Sequence, residues 1–151
     1  MAGAVTALNN GVGKLPAMGY DTFNAFAGQY DSSMVTAQAH AMKDQGLVDA
    51  GYNIMILDDF YALKHRNASG YMVENATMFP DGLPALSKDL NALGVSLAAY
   101  GDSGYSTCGG YPGSYNNELK DLETWFSWGM TYLKLDNCCK WHFKTPCVTN
   151  C

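Results

Sequence analysis

The sequence predicts a parallel α/β fold, and three observations predict it. Short apolar runs alternate with segments of helical periodicity, glycines close those segments, and the apolar runs end on or near aspartates. Strands separated by single helices mark parallel sheets, because each crossover helix covers a sheet face. An open doubly wound sheet and a (β/α)8 barrel both satisfy the pattern, and both place ligands at the carboxyl ends of the strands. No G-x-G-x-x-G follows a strand in the dinucleotide-binding arrangement, which disfavours a Rossmann cofactor site.

The elements follow in order. The run PAMGY (16–20) is a short strand ending in polar residues. Asp31 or Ser32 can cap a helix over about 33–48, with Gly51 as its stop. YNIMILDD (52–59) is a buried parallel strand. A polar loop over about 61–80 carries two N-x-S/T sequons, Asn67-Ala68-Ser69 and Asn75-Ala76-Thr77. LPALSKDLNALG (83–94) has apolar residues at 83, 86, 90 and 93, Pro84 in its first turn and Gly94 at its end, so it is a helix. VSLAAY (95–100) is the third strand, and the glycine-rich loop GDSGYSTCGGYPGS follows it. NELKDLETWFSWG (117–129) is a helix closed by Gly129, and TYLKL (131–135) is the fourth strand. Residues 139–151 break the rhythm and form an irregular tail containing Cys139, Cys147 and Cys151.

The 151 residues suffice for one domain with a core, and 48% hydrophobic against 15% charged residues excludes a disordered chain. A net charge of −5 argues against nucleic acid, whose phosphates demand a basic face. No stretch approaches the ~20 apolar residues of a membrane span. The ten tyrosines suit sugar rings as well as ordinary packing. The first residues, MAGAVTALNNGVGKLP, lack the basic start of a signal peptide, yet five cysteines and two sequons point to a secreted protein. A mature or truncated chain whose leader was removed reconciles the two. A cytosolic protein with free thiols is the alternative.

The strand ends carry the chemistry. The second strand ends at Asp58-Asp59, the third at Tyr100 with Asp102 just beyond, and the fourth at Lys134-Leu135-Asp136. In a parallel barrel these positions converge on one face. A carboxylate at the end of a buried strand must be paired or hydrogen-bonded. Lys134, two residues before Asp136, points to the same side of the strand, where its ammonium lowers the carboxyl pKa. A low-pKa carboxylate suits the nucleophile of a glycosidase. In the plainer reading Asp136 caps the following turn with Lys134 as a surface partner, and Asp58-Asp59 is a turn or helix-cap pair. A metal site is a third reading, although the spaced acidic loop of a calcium motif is missing.

Four segments resemble the catalytic domain of glycoside hydrolase family 27, the α-galactosidase and α-N-acetylgalactosaminidase family. They are LPAMGYDTFNAF (15–26), GLVDAGYNIMILDDF (46–60), MFPDGLPALSKDLNALGVSLAAYGDSGYSTCGGYPGS (78–114) and DLETWFSWGMTYLKLDNC (121–138). The resemblance implies a (β/α) barrel of TIM type, with about its first four β/α units present. It implies that Asp136, in the K-x-D-N-C pattern, is the nucleophile of a retaining reaction and that Lys134 binds sugar hydroxyls. Asp58 and Asp59 would hold the hydroxyls that mark galactose, and Tyr100 would line the site. Cys108 would lie at the substrate and form a disulfide with Cys138. Such a bridge would restrict the unfolded chain and fix the loop carrying Asp136.

The pattern also departs from the family. Tyr20 and Phe23 stand where tryptophans are usual, with Phe23 at the position of an aromatic that packs on the sugar. Tyr61 replaces another tryptophan. Phe60 and Gly28 occupy the places of two cysteines, so both members of that pair are absent together. A whole barrel typically needs ~250 residues. A retaining glycosidase needs a second carboxyl group ~5–5.5 Å from the nucleophile. In the family that acid/base comes from a later strand and no residue here matches it, although Asp102 is a conceivable stand-in.

The resemblance therefore implies retaining hydrolysis of terminal α-linked galactosides, with a carbohydrate substrate and no metal or organic cofactor. The chain alone is expected to be an inactive fragment, or one part of a longer hydrolase. A non-catalytic galactose-binding remnant and a metal-dependent α/β hydrolase are the alternatives. An open half-barrel exposes sheet edges and apolar surface, which invites self-association. Cys139, His142, Cys147 and Cys151 have zinc-ligand chemistry at a non-standard spacing, and a truncated disulfide region fits them better.

Overall fold

The structure is a computed structural model that describes Gly11 and residues 14–138. The start of the N-terminal apolar run and the tail with Cys139, His142, Cys147 and Cys151 lie outside the described residues. Its elements are β1 (Gly19–Asp21), α1 (Phe23–Phe26), α2 (Ser32–Asp44), β2 (Ile54–Leu57), α3 (Leu83–Ala92), β3 (Ser96–Asp102), α4 (Glu118–Ser127) and β4 (Tyr132–Asp136). The strands form one sheet in the order β1-β2-β3-β4, and every pairing is parallel. This is the β-α alternation that the apolar runs predict, with helices as the crossovers.

Several boundaries differ from the expectation: the short helix α1 is not among the expected elements, the second strand is Ile54–Leu57 rather than 52–59, and the helices expected over 83–94 and 117–129 are shorter. The helix predicted over 33–48 starts at Ser32, where the Asp31 side chain accepts the Met34 amide, and it ends at Asp44. Gly46 at φ +76° ends it a turn early, whereas Gly51 at φ +99° lies in the turn leading into β2. The first strand lies later than 16–20, because its pairing with Ile54–Ile56 runs from Gly19 to Asp21. It therefore also ends on a carboxylate. The third strand continues past Tyr100 to Asp102, which aligns with Asp136 of β4.

The core lies between the sheet and α2 and α3. Met55, Leu57, Leu97 and Ala99 of the strands join Val35, Ala39, Met42, Leu83, Leu86 and Leu90 of the helices, all buried. Every residue of β3 after Ser96 is buried, as in a parallel strand covered on both faces. Every residue of the outer strand β4 is exposed or half-exposed. Beside it, Leu122, Trp125, Phe126, Met130 and Leu133 help line a hollow of about 430 Å³, with Phe126 77% exposed.

A buried ion pair fastens the loops that overlie the strand ends. Arg66 holds Asp121 through both guanidinium nitrogens at 2.5 and 2.9 Å and donates to the carbonyls of Gly70 and Gly113. Asp121 is fully buried. Arg66→Leu strands that carboxylate without its partner and should cost ~3–5 kcal/mol, read from the denaturation midpoint. The double variant Arg66→Leu/Asp121→Leu should lose less than the single one, because no bare charge remains.

Candidate active site

The carboxyl ends of all four strands supply the site. Phe23, Asp58, Asp59, Tyr100, Cys108, Lys134 and Asp136 line one hollow of about 250 Å³. These are the seven residues singled out at the strand ends and by the resemblance. Asp58 and Asp59 directly follow β2, where the chain leaves the sheet. Tyr100 and Lys134 are register partners on β3 and β4.

The tip of β2 is held from beneath. The Asp58 amide donates to Thr22 Oγ1 at 3.0 Å, and the buried Tyr30 hydroxyl lies 2.7 and 3.0 Å from the carbonyl oxygens of Asp58 and Asp59. Asp58 Oδ1 accepts the Asp59 amide. Asp59 accepts the Phe60 amide on Oδ1 and the Gly109 amide on Oδ2. A Cβ at position 109 would stand 2.7 Å from Asp59 Oδ2, so a side chain there would have to displace this carboxylate oxygen. The Phe60 ring packs directly on Gly28 and edge-on to Tyr111. The two positions that depart together from the family's cysteines are thus neighbours here, and an aromatic ring fills the space between them.

Lys134 does not pair with Asp136 as its position on the strand suggested. Its ammonium lies 2.7 Å from Asp21 Oδ2 and 2.6 Å from Asp58 Oδ2, and 5.5 Å from the centre of the Tyr100 ring. A four-carbon stem carries the charge across the sheet face to where two carboxylates stand together. Asp136 instead accepts the Tyr100 hydroxyl on Oδ2 at 2.9 Å and the Asn137 amide on Oδ1 at 2.8 Å. It therefore caps the following turn and faces the hollow at once. Asp102 does not line the hollow. It is fully buried, and its oxygens accept the amides of Gly104 and Cys138. That placement suits a clamp on the loops and not an acid/base.

Cys108 and Cys138 form a disulfide that joins the loop after β3 to the end of β4. Asp136 lies close enough to both sulfurs to suggest a ligand cluster, but a metal binds thiolates, and bridged cysteines offer none.

Burial pushes the Asp58 carboxyl above its ordinary range, against the opposing pull of the Lys134 ammonium and the Asp59 amide. Burial would lower Lys134, but its bonds to Asp21 and Asp58 prevail and raise it, so it stays charged. Burial and the bond to Asp136 raise Tyr100 far above the physiological range, which keeps its hydroxyl a donor.

Asp21, Thr22 and Tyr30 escaped the sequence reading. The signal for Asp21 was the same as for the others, a carboxylate closing an apolar run, but it lay one residue past the assumed end of the strand.

Residues 18–147 match the melibiase family described as alpha galactosidase A. The chain belongs to that family. It is 41% identical over 131 residues to a probable alpha-galactosidase B of Talaromyces emersonii, covering 85% of this chain and 29% of that protein. It is 46% identical over 123 residues to an alpha-galactosidase A of Aspergillus niger, covering 82% and 23%. The crystal structure of alpha-galactosidase I from Mortierella vinacea superposes with a TM-score of 0.83 at 37% identity, covering 87% of this chain and 33% of that one. The Saccharomyces cerevisiae α-galactosidase solved with raffinose also gives 0.83, at 33% identity, covering 89% and 30%. The chain thus spans a quarter to a third of the length of these relatives. Melibiase catalytic domains of this kind are TIM barrels, and the four β/α units are a partial barrel, which decides between the two architectures left open by the sequence.

The ion pair makes a measurable claim. The Asp58 carboxyl should titrate above the ordinary 3.8. Lys134→Met should raise it further, because the ammonium is what pulls it down. Side-chain carboxyl NMR titration reads both, and an Asp58 titration unmoved by Lys134→Met contradicts the pairing. The sign for folding follows: the folded state holds this proton more tightly than the unfolded one. The associated stability is complete below about 3.8 and fades as pH rises through the folded value.

Proposed function

We propose that this chain carries the galactose-binding and nucleophile-bearing portion of a retaining α-galactosidase. The observation that carries the proposal is the hollow in which Asp136 stands with Asp58, Asp59, Lys134, Tyr100 and Phe23. A galactosyl ring rests against Phe23, which is 46% exposed, while its hydroxyls meet the two buried carboxylates and the ammonium. Charge-assisted bonds of this kind are strong and directional. Asp136 attacks the anomeric carbon, and the bond to the aglycone oxygen breaks as an acid protonates it. Water then cleaves the glycosyl ester at Asp136 and restores the carboxylate. Tyr100 holds Asp136 through its hydroxyl and gives that bond up as the carboxylate becomes an ester.

The acid is assigned to residues outside those described. Asp58 is committed to Lys134 and Asp59 to two backbone amides, and both serve as acceptors for the sugar. The relatives' greater length leaves ample chain to supply the acid. The raffinose bound in the Saccharomyces neighbour supports a terminal α-galactoside as substrate. Sugar binding without turnover is the second reading, favoured by the commitment of Asp58 to Lys134 and of Asp59 to two backbone amides.

The Cys108–Cys138 disulfide and the exposed sequon at Asn67 support a secreted glycoprotein. Asn75, in the second sequon, is half-buried and folds its side chain onto the Thr77 amide. No helix among the described residues is long and apolar enough to cross a membrane. The apolar flank of α4 and β4 supports association through that side.

An activated fluoro-galactoside should label Asp136 in a polypeptide that includes the acid, and Asp136→Ala should abolish the label. Mass spectrometry of the labelled peptide decides it, and a label on another carboxylate overturns the assignment. This chain by itself should bind galactose without hydrolysing a chromogenic α-galactoside. Asp58→Asn should weaken that binding by about 10- to 100-fold, the worth of a hydrogen bond to a charged group. Calorimetry that finds equal affinity removes Asp58 from the galactose contact.

A further inference from the structure

We propose that Asp21 is a positioning residue of this site, one carboxylate that sets both the Lys134 ammonium and the Phe23 ring in place for the sugar. The proposal rests on the galactoside reading above. Asp21 Oδ2 accepts from Lys134 Nζ at 2.7 Å, and Asp21 Oδ1 accepts the Phe23 amide at 2.9 Å. Each oxygen thus reaches a different residue of the hollow, and Asp21 is not among the residues lining it.

Each contact meets a need. A lysine ammonium has three hydrogens on a flexible four-carbon stem. Lys134 is 40% exposed along its side chain, and its ammonium lies 5.5 Å from the centre of the Tyr100 ring, so packing alone does not fix its direction. Asp58 alone would leave it free to pivot. With Asp21 on β1 and Asp58 after β2, two hydrogens are committed in two directions, and the third is available to a sugar hydroxyl. Phe23 opens α1, a helix of four residues whose N-cap Thr22 makes no side-chain capping bond. The Thr22 hydroxyl is taken by the Asp58 amide. Asp21 supplies the missing acceptor one residue earlier, and so fixes the start of the turn that carries the Phe23 ring.

A purely structural role would be the Phe23 turn alone. Two substitutions separate the roles. Asp21→Asn keeps an oxygen for the Phe23 amide but removes the charge that holds Lys134. Asp21→Ala removes both contacts. The readouts are galactose affinity by calorimetry, the Asp58 carboxyl titration by NMR without sugar, and thermal stability.

Asp21→Asn should keep the wild-type melting temperature, weaken galactose about 2- to 10-fold, and move the Asp58 titration downward. The downward sign has two sources: a neighbouring negative charge is lost, and Lys134 turns wholly to Asp58. Asp21→Ala should weaken galactose further. If Asp21→Asn leaves affinity or the Asp58 titration at the wild-type value, the positioning role is overturned and the turn alone remains. If the wild-type chain binds no galactose, the functional reading fails. The Asp58 titration in Asp21→Asn still decides whether Asp21 holds the cation.

Discussion

A lysine ammonium caught between two carboxylates organises this molecule's chemistry. Lys134 comes from β4, the outermost strand, while Asp21 ends β1 and Asp58 follows β2. The contacts span 113 and 76 residues of chain. One cation therefore reports on the alignment of the first, second and fourth strands at once. A slip of one residue in β2 or β4 would reverse its side chains and leave Asp58 buried without a counter-charge, and a slip in β1 would take Asp21 from the cation. The parallel register and the polar hollow are thus two aspects of one requirement.

Around that centre, buried polar groups are nearly all satisfied from the backbone. Tyr30 and Thr22 hold the tip of β2, and Gly109 reaches Asp59 from the loop after β3. Asp102 pins Gly104 and Cys138, and the disulfide covers the same join. Further in, the Trp125 indole donates to the Tyr61 hydroxyl, which donates to the Tyr100 carbonyl. Among the described residues, Ser114 Oγ is the one buried side-chain polar atom without a partner. A low-dielectric site tolerates this many polar groups only when each is matched, and matched networks hold their geometry. The side chains that face the hollow are thereby held in place by the chain itself.

Much of this was legible beforehand, for reasons that differ by residue. Four apolar runs separated by helical periodicity marked the number of strands and their order along the chain, because that alternation leaves little room for another pattern. Asp58, Asp59 and Asp136 were legible because a carboxylate ending a buried strand needs a reason. Lys134 was placed correctly but paired wrongly. Alternation along a strand says which face a side chain takes, yet a lysine reaches far enough to leave its own strand. Asp21 was missed because strand ends are the least certain part of any pattern, and one residue hid a carboxylate. Phe60 and Gly28 were visible only as a joint departure from a family. That they touch is a fact of three dimensions.

The carboxylates of the hollow are supported by different parts of the fold. Asp58 and Asp59 are each 3% exposed and anchored to buried residues of the chain's own core. Asp136 ends β4, whose residues are exposed or half-exposed and whose outer edge has no partner strand among the described residues. Its position depends on lighter fastenings: the Tyr100 hydroxyl, the Asn137 amide and a disulfide at the surface. An edge strand gains rigidity when a neighbour pairs with it and covers its apolar flank, as further β/α units do in a closed barrel. The recognition of a sugar proposed above would thus rest on the covered strands. The nucleophilic attack proposed for Asp136, which would lose much from a displacement of about 1 Å, would instead rest on those few fastenings at an exposed strand.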